Sequence, residues 1–167
     1  NRFDIYLITT PWGNCGWLSE DNDERRWIDH LIQKTLIYQQ NGGKYDISLQ
    51  VCIPSEWEQL APYNIGYTAG IETNKISPKW FEGCFRVNKI ITTSDFAKAG
   101  IENTVYPVVN NQTGQQFLSH VEIPIETINY PAREIATKEI DLDFIHNFNF
   151  LVVAQWGPRK NIENTIK

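Results

Sequence analysis

The sequence predicts an α/β domain built on a mostly parallel sheet flanked by helices. Two observations carry that expectation. Short runs rich in β-branched and aromatic residues alternate with segments of helical periodicity, the order that generates strand–helix–strand units. Each change of pattern is punctuated by glycine, proline or a small polar residue. A chain of 167 residues with 41% hydrophobic content can also bury a core, since disordered chains combine low apolar content with high net charge.

The elements follow in order. Phe3 to Thr10 reads as a strand ending at Pro11-Trp12-Gly13, followed by a small-residue loop through Gly16. Asp21 and Glu24 stand at capping-box spacing, so a helix opens there. Trp27, Ile28, Leu31, Ile32, Thr35 and Leu36 form its apolar stripe as far as about Gln40, and Asn41-Gly42-Gly43 stops it. Tyr45 to Ile53 reads as a second strand closed by Pro54, and Asn64 to Ala69 as a third ending in Gly70. Ser77-Pro78 supplies an N-cap and a proline at the first helical position, with Trp80, Phe81, Cys84 and Phe85 as the buried stripe. Lys89 to Thr93 is a further strand, after which Ser94 caps a helix. From Glu102 to Gln116 the chain turns polar, with Asn110 to Gln116 reading as an exposed loop; Val121 to Tyr130 is extended, and Lys138 to Asp143 is linker-like. Phe148 to Ala154 reads as a fresh buried strand, with a new helix starting at Gly157-Pro158.

Composition excludes several classes. A net charge of -5 disfavours electrostatic binding of nucleic acid. No apolar run approaches the ~20 residues of a membrane span. Asn1-Arg2-Phe3-Asp4 leads straight into a strand-like run with no secretory-leader pattern. Three cysteines, Cys15, Cys52 and Cys84, lack disulfide or zinc spacing, so a cytoplasmic location is the expectation. No histidine pair has metal-ligand spacing, and no metal is expected. The chain has no methionine, and its last residues read as the opening of a helix, so the expectation is part of a longer protein.

Ligands of open parallel sheets bind at the carboxyl ends of the strands, and four loops lie there. Gly13-Asn14-Cys15-Gly16 lets backbone N–H groups approach an anion or sugar, or is a flexible connection. It is not the dinucleotide fingerprint, which counts against an epimerase-type enzyme. Thr68 to Lys75 places a carboxylate (Glu72), an amide, an amine and hydroxyls including Thr73 after a buried strand, or is a solvated turn. Ser94 is a helix cap or a ligand. Arg159 and Lys160 open a helix against its dipole, so either an anion such as phosphate sits there or two exposed cations are tolerated at a small cost.

Asn64-Ile65-Gly66-Tyr67-Thr68-Ala69-Gly70-Ile71-Glu72-Thr73, Ser77-Pro78-Lys79-Trp80 and Lys89-Ile90-Ile91-Thr92-Thr93-Ser94 together resemble the N-terminal domain of family-4-like (group 1) glycosyltransferases. Phe150 to Asn161 resembles the start of their second domain. The resemblance implies a GT-B architecture of two Rossmann-like domains. Residues 1–143 would form the acceptor-binding domain, and 144–167 the first β-α unit of the nucleotide-sugar domain. It implies transfer, with retention and without a metal, from a nucleotide sugar to a glycan, lipid or small-molecule acceptor. The nucleotide sugar is a co-substrate, no cofactor is implied, and peripheral contact with a membrane stays open. Gly13, Asn14, Gly16, Thr68, Gly70, Glu72, Thr73 and Ser94 would line the acceptor cleft, with Glu72 as the candidate catalytic residue. Arg159 and Lys160 would meet the donor diphosphate. Many relatives carry a histidine where this chain has Gly70-Ile71-Glu72, and the family's acidic donor-domain element would lie beyond Lys167, so these residues alone are expected to be inactive. The alternative is a non-catalytic α/β module that binds a sugar or nucleotide.

Overall fold

The computed structural model describes residues 3–10, 20–110, 112–132, 134, 136–139 and 142–166. They fall into two compact units, Asn1–Pro131 and Ala132–Lys167.

The first unit is α/β. Helix α1 (Asp23–Gln40) is followed by strand β1 (Ile47–Val51), a 3-10 turn (Pro54–Glu56), β2 (Tyr63–Thr68), α2 (Pro78–Cys84), β3 (Lys89–Thr92) and α3 (Asp95–Glu102). Strands β4 (Tyr106–Val109), β5 (Gln116–Ser119) and β6 (Ile125–Thr127) complete it. The order β1-β2-β3-β6 makes a four-stranded sheet in which every neighbouring pair is parallel. Strands β4 and β5 form a separate antiparallel pair.

Local chemistry explains the helix starts. The Ser77 hydroxyl accepts from the Trp80 N–H at 3.3 Å with Pro78 behind it, and Ser94 accepts from the Ala97 N–H at 3.2 Å. Each satisfies a donor that the first helical turn leaves without a partner. In α1 the cap falls one residue later than the Asp21–Glu24 spacing predicts. Asn22 takes the position, its side chain accepting from the Arg25 N–H at 2.9 Å, while Asp21 pairs with Arg26 at 2.7 Å.

One face of the sheet carries the core. Ile90 of β3 packs with Cys52, Trp57, Phe81, Cys84, Ile101 and Val121. Trp57 is fully buried and lies against Gly66, where a Cβ would run into the indole ring. Gly83 of α2 is similarly pressed on the Pro54 carbonyl, which brings the helix close to the 3-10 turn. At the amino end of the sheet the buried Asn64 ties three segments together. Its side-chain oxygen accepts from the Leu60 and Ala61 N–H groups and the Ser48 hydroxyl, and its backbone N–H donates to the Asn88 side chain. On the opposite face the β1 residues Ile47, Leu49 and Val51 are exposed, while Ile65, Tyr67 and Ile91 are half-buried.

Besides the shifted α1 cap and the α2 stripe, where Trp80 is half-buried and Phe85 exposed, the structure departs from the sequence expectation in four places. Phe3 to Thr10 forms no strand; the Leu7 N–H donates to the Thr35 hydroxyl of α1, and Tyr6 stacks on Tyr38 with ring centroids 4.3 Å apart. The segment therefore lies along the helix and not in the sheet. The α1 stripe is narrower than the pattern suggests, since Leu31 and Thr35 are buried while Trp27 and Leu36 are exposed. The polar stretch after Glu102 also holds strands β4 and β5, which flank the expected loop from Asn110 as a hairpin, its turn closed by the Asn110 side chain accepting from the Gln112 and Thr113 N–H groups.

The fourth departure is the second unit, where Phe148 to Ala154 is neither buried nor a strand, and Leu151 and Val153 are each 88% exposed. Apolar identity sets a preference for extended backbone, but a strand also needs a ladder partner for its N–H and C=O groups. The regular elements among the described residues of that unit are a 3-10 turn (Pro158–Lys160) and helix α4 (Ile162–Ile166). Asn161 separates them in a left-handed conformation with φ 49.

Candidate functional site

The carboxyl edge of the sheet is a row of threonines. Thr68, Thr92 and Thr127 stand in register on three adjacent strands. Thr68 and Thr92 are buried, and the Thr127 hydroxyl oxygen is buried without a hydrogen-bond partner among the described residues.

Two of the predicted loops meet above this row. The Thr93 hydroxyl donates to the Ala69 carbonyl at 3.1 Å, joining the loop after β2 to the loop after β3. Gly70 has φ +83, a conformation that penalises any side chain, and a Cβ there would also strike the Cβ of Ala97 in α3. The glycine thus lets the chain turn out of the sheet directly over the helix that Ser94 caps.

Beyond Gly70 the loop is anchored at Ile76, which is 1% exposed. The Ile76 N–H donates to the Thr104 hydroxyl at 3.1 Å, and its carbonyl accepts from the Tyr106 hydroxyl at 2.8 Å. Thr104 in turn donates to the Gly100 carbonyl at 2.7 Å. Fixing both polar groups of one buried residue holds the loop in a single course. An open depression of about 510 Å³ results, lined by Ile71, Thr73, Lys75, Ile76, Ser77, Trp80 and Tyr106. The Lys75 amine lies 4.0 Å from the centre of the Tyr106 ring.

The predicted residues are thus distributed unevenly. Thr68, Gly70 and Ser94 converge at the sheet edge, but Thr68 is buried and the Ser94 hydroxyl is engaged as a cap. Thr73 and Glu72 are exposed on the loop beyond, and Thr73 lines the depression. Gly13, Asn14 and Gly16 lie outside the described residues. In the second unit Lys160 is exposed in the 3-10 turn, one element before α4, and nothing is described of the Arg159 side chain.

Trp80 and Tyr106 are the residues that sequence reasoning missed. Trp80 falls on a helix stripe and was expected in the core; it is half-buried, with the rest of its ring on the depression. Tyr106 opens a strand inside a stretch that reads as polar, ahead of the loop at Asn110. The one signal in the sequence is the short β-prone run Tyr106-Pro107-Val108-Val109.

Other chemistries find little support. Cys84 is fully buried, and burial pushes its thiol up to about 12, so it is protonated and shielded at neutral pH. Cys52 is buried and raised for the same reason, with Glu56 and Glu58 adding to the shift. Among the described residues no cluster of three His, Cys, Asp or Glu is arranged to hold a metal ion, and no helix is long and apolar enough to cross a membrane. The chain matches no protein-family model, no curated protein and no solved structure.

Proposed function

We propose that this chain is the acceptor-binding half of a retaining, metal-independent glycosyltransferase of GT-B architecture. The observation that supports the reading is the polar loop from Ala69 to Ser77, anchored through Ile76 at the carboxyl edge of a parallel sheet and joined at Ala69 to the Ser94 loop. That edge is where such sheets bind ligands. The likeness of Asn64 to Thr73 and of Phe150 to Asn161 to glycosyltransferase segments supplies the chemistry. In this reading the loop holds the acceptor sugar, with Glu72 next to the reacting hydroxyl. Arg159 and Lys160 neutralise the charge that grows on the departing nucleoside diphosphate. Transfer also needs the remainder of the nucleotide-sugar domain.

The test is a transfer assay with radiolabelled UDP-, GDP- and ADP-sugars and a mixture of glycan, lipid and small-molecule acceptors. It is run on the natural gene product and on the 167 residues alone. Label is expected to pass to an acceptor with the first and not with the second. Robust transfer by the 167 residues would overturn the division of labour. Absence of transfer by the gene product, with sugar still bound, would leave a non-catalytic sugar-binding module.

A further inference from the structure

The depression beside the Gly70–Ser77 loop has a composition that a plain surface turn does not need. Its cation, Lys75, stands over the Tyr106 ring and has no carboxylate within ion-pair distance among the described residues. An amine held over an aromatic face still directs N–H donors away from the ring. The two hydroxyls are complementary. Thr73 gives its proton to the Lys75 carbonyl at 3.0 Å, which leaves its oxygen able to accept. Ser77 accepts from the Trp80 N–H, which leaves its own proton to donate. Trp80 and Ile71 add apolar surface to the same wall.

A donor, an acceptor, a cation and an aromatic face around about 510 Å³ match a small polar ring bearing one negative charge. A sugar hydroxyl both donates and accepts, as Ser77 and Thr73 together require. The C–H face of a pyranose packs on an aromatic ring whose π-face is electron-rich. An amine with no carboxylate beside it among the described residues suits an anion.

We infer that this depression binds an anionic sugar, with the ring against Trp80, its hydroxyls on Thr73 and Ser77, and its phosphate or carboxylate on Lys75. The inference rests on the acceptor-binding reading above and sharpens it: the acceptor carries a negative charge on or next to the sugar that docks here.

The full chain, labelled at its indole N–H groups, is titrated by NMR with glucose 6-phosphate, glucuronic acid, glucose and inorganic phosphate. Both anionic sugars are expected to shift the Trp80 indole resonance and to bind about tenfold more tightly than glucose, the difference one charge-assisted hydrogen bond supplies. Lys75→Gln is expected to remove that preference and leave glucose binding within about twofold, while Lys75→Arg restores most of it. Lys44→Gln, outside the depression, is the control for lost net charge and is expected to change nothing. Lys75 is exposed, so its replacement leaves the core intact. Equal affinity for glucose and the anionic sugars, or an unchanged preference in Lys75→Gln, would overturn the inference. So would saturation of the same shift by inorganic phosphate at equal affinity, which would make this a simple anion site. If a sugar perturbs only the Thr68 and Ser94 amides, the inference fails while the acceptor-binding reading stands. If no sugar binds anywhere, both fail.

Discussion

Ile90 and Val153 belong to similar apolar runs, Lys89 to Thr93 and Phe148 to Ala154, yet one is fully buried and the other 88% exposed. The difference lies in what surrounds each run. Ile90 sits between β2 and β6, in ladder register with Gly66 and Ile125, and beneath α2 and α3. Val153 has no strand beside it among the described residues of its unit. Apolar composition therefore sets only the tendency; hydrogen-bonded neighbours and a covering layer turn it into structure.

The comparison breaks most readily at the core. Trp57→Ala is expected to destabilise the first unit by about 3–5 kcal/mol, because it empties a fully enclosed site beneath the sheet. Val153→Ala is expected to stay within about 0.5 kcal/mol, as surface changes do. Urea unfolding followed by circular dichroism measures both. A cost above about 2 kcal/mol for Val153→Ala would show that the second run is packed after all.

A smaller effect is expected where the sheet meets the loop. Gly70→Ala should cost about 1–3 kcal/mol, since the left-handed backbone and the Ala97 contact both penalise a methyl group. Amide shifts should follow from Thr68 to Ile76 and around Ala97, and no change is expected in the second unit. An unchanged stability would mean that the loop is not pinned at Gly70.

The smallest effect is electrostatic. The Lys89 amine beside Glu126 lowers the carboxyl below its ordinary value and is itself raised by the same contact. The carboxyl contributes stability above its unfolded value, and the contribution is lost as pH falls through the lowered folded value. The amine's share is full below its unfolded value and is lost as pH rises through the raised one. Glu126 is exposed and Lys89 half-exposed, so the benefit is small and salt-screened. Thermal melts of Glu126→Gln and the parent chain should differ slightly at neutral pH and converge at the acid end. A gap that widens in acid would contradict the pairing.

Much of the first unit was legible because its signals are local. Ser77-Pro78 and Ser94 mark helix starts through hydrogen bonds made within three residues, and Pro54 and Gly70 mark strand ends. The missed features depend on distant partners. The β4–β5 pair joins residues across a polar turn, and Phe3 to Thr10 follows α1 through the Thr35 hydroxyl, 28 residues away from Leu7. The site divides in the same way. Gly70, Thr73 and Lys75 come from one loop and could be read together, whereas Tyr106 joins them only through folding. No periodicity announces a tyrosine that anchors Ile76 with its hydroxyl and carries Lys75 on its ring.

The central claim is that sugar binds on the carboxyl-edge loop of the first unit. Backbone amide shift mapping of the intact chain with glucose 6-phosphate tests it most directly. The account predicts perturbations concentrated between Ile71 and Trp80 and at Tyr106, with the amino edge around Asn64 and Asn88 silent. Shifts confined to that amino edge or to the second unit, or no shifts at all, would contradict it.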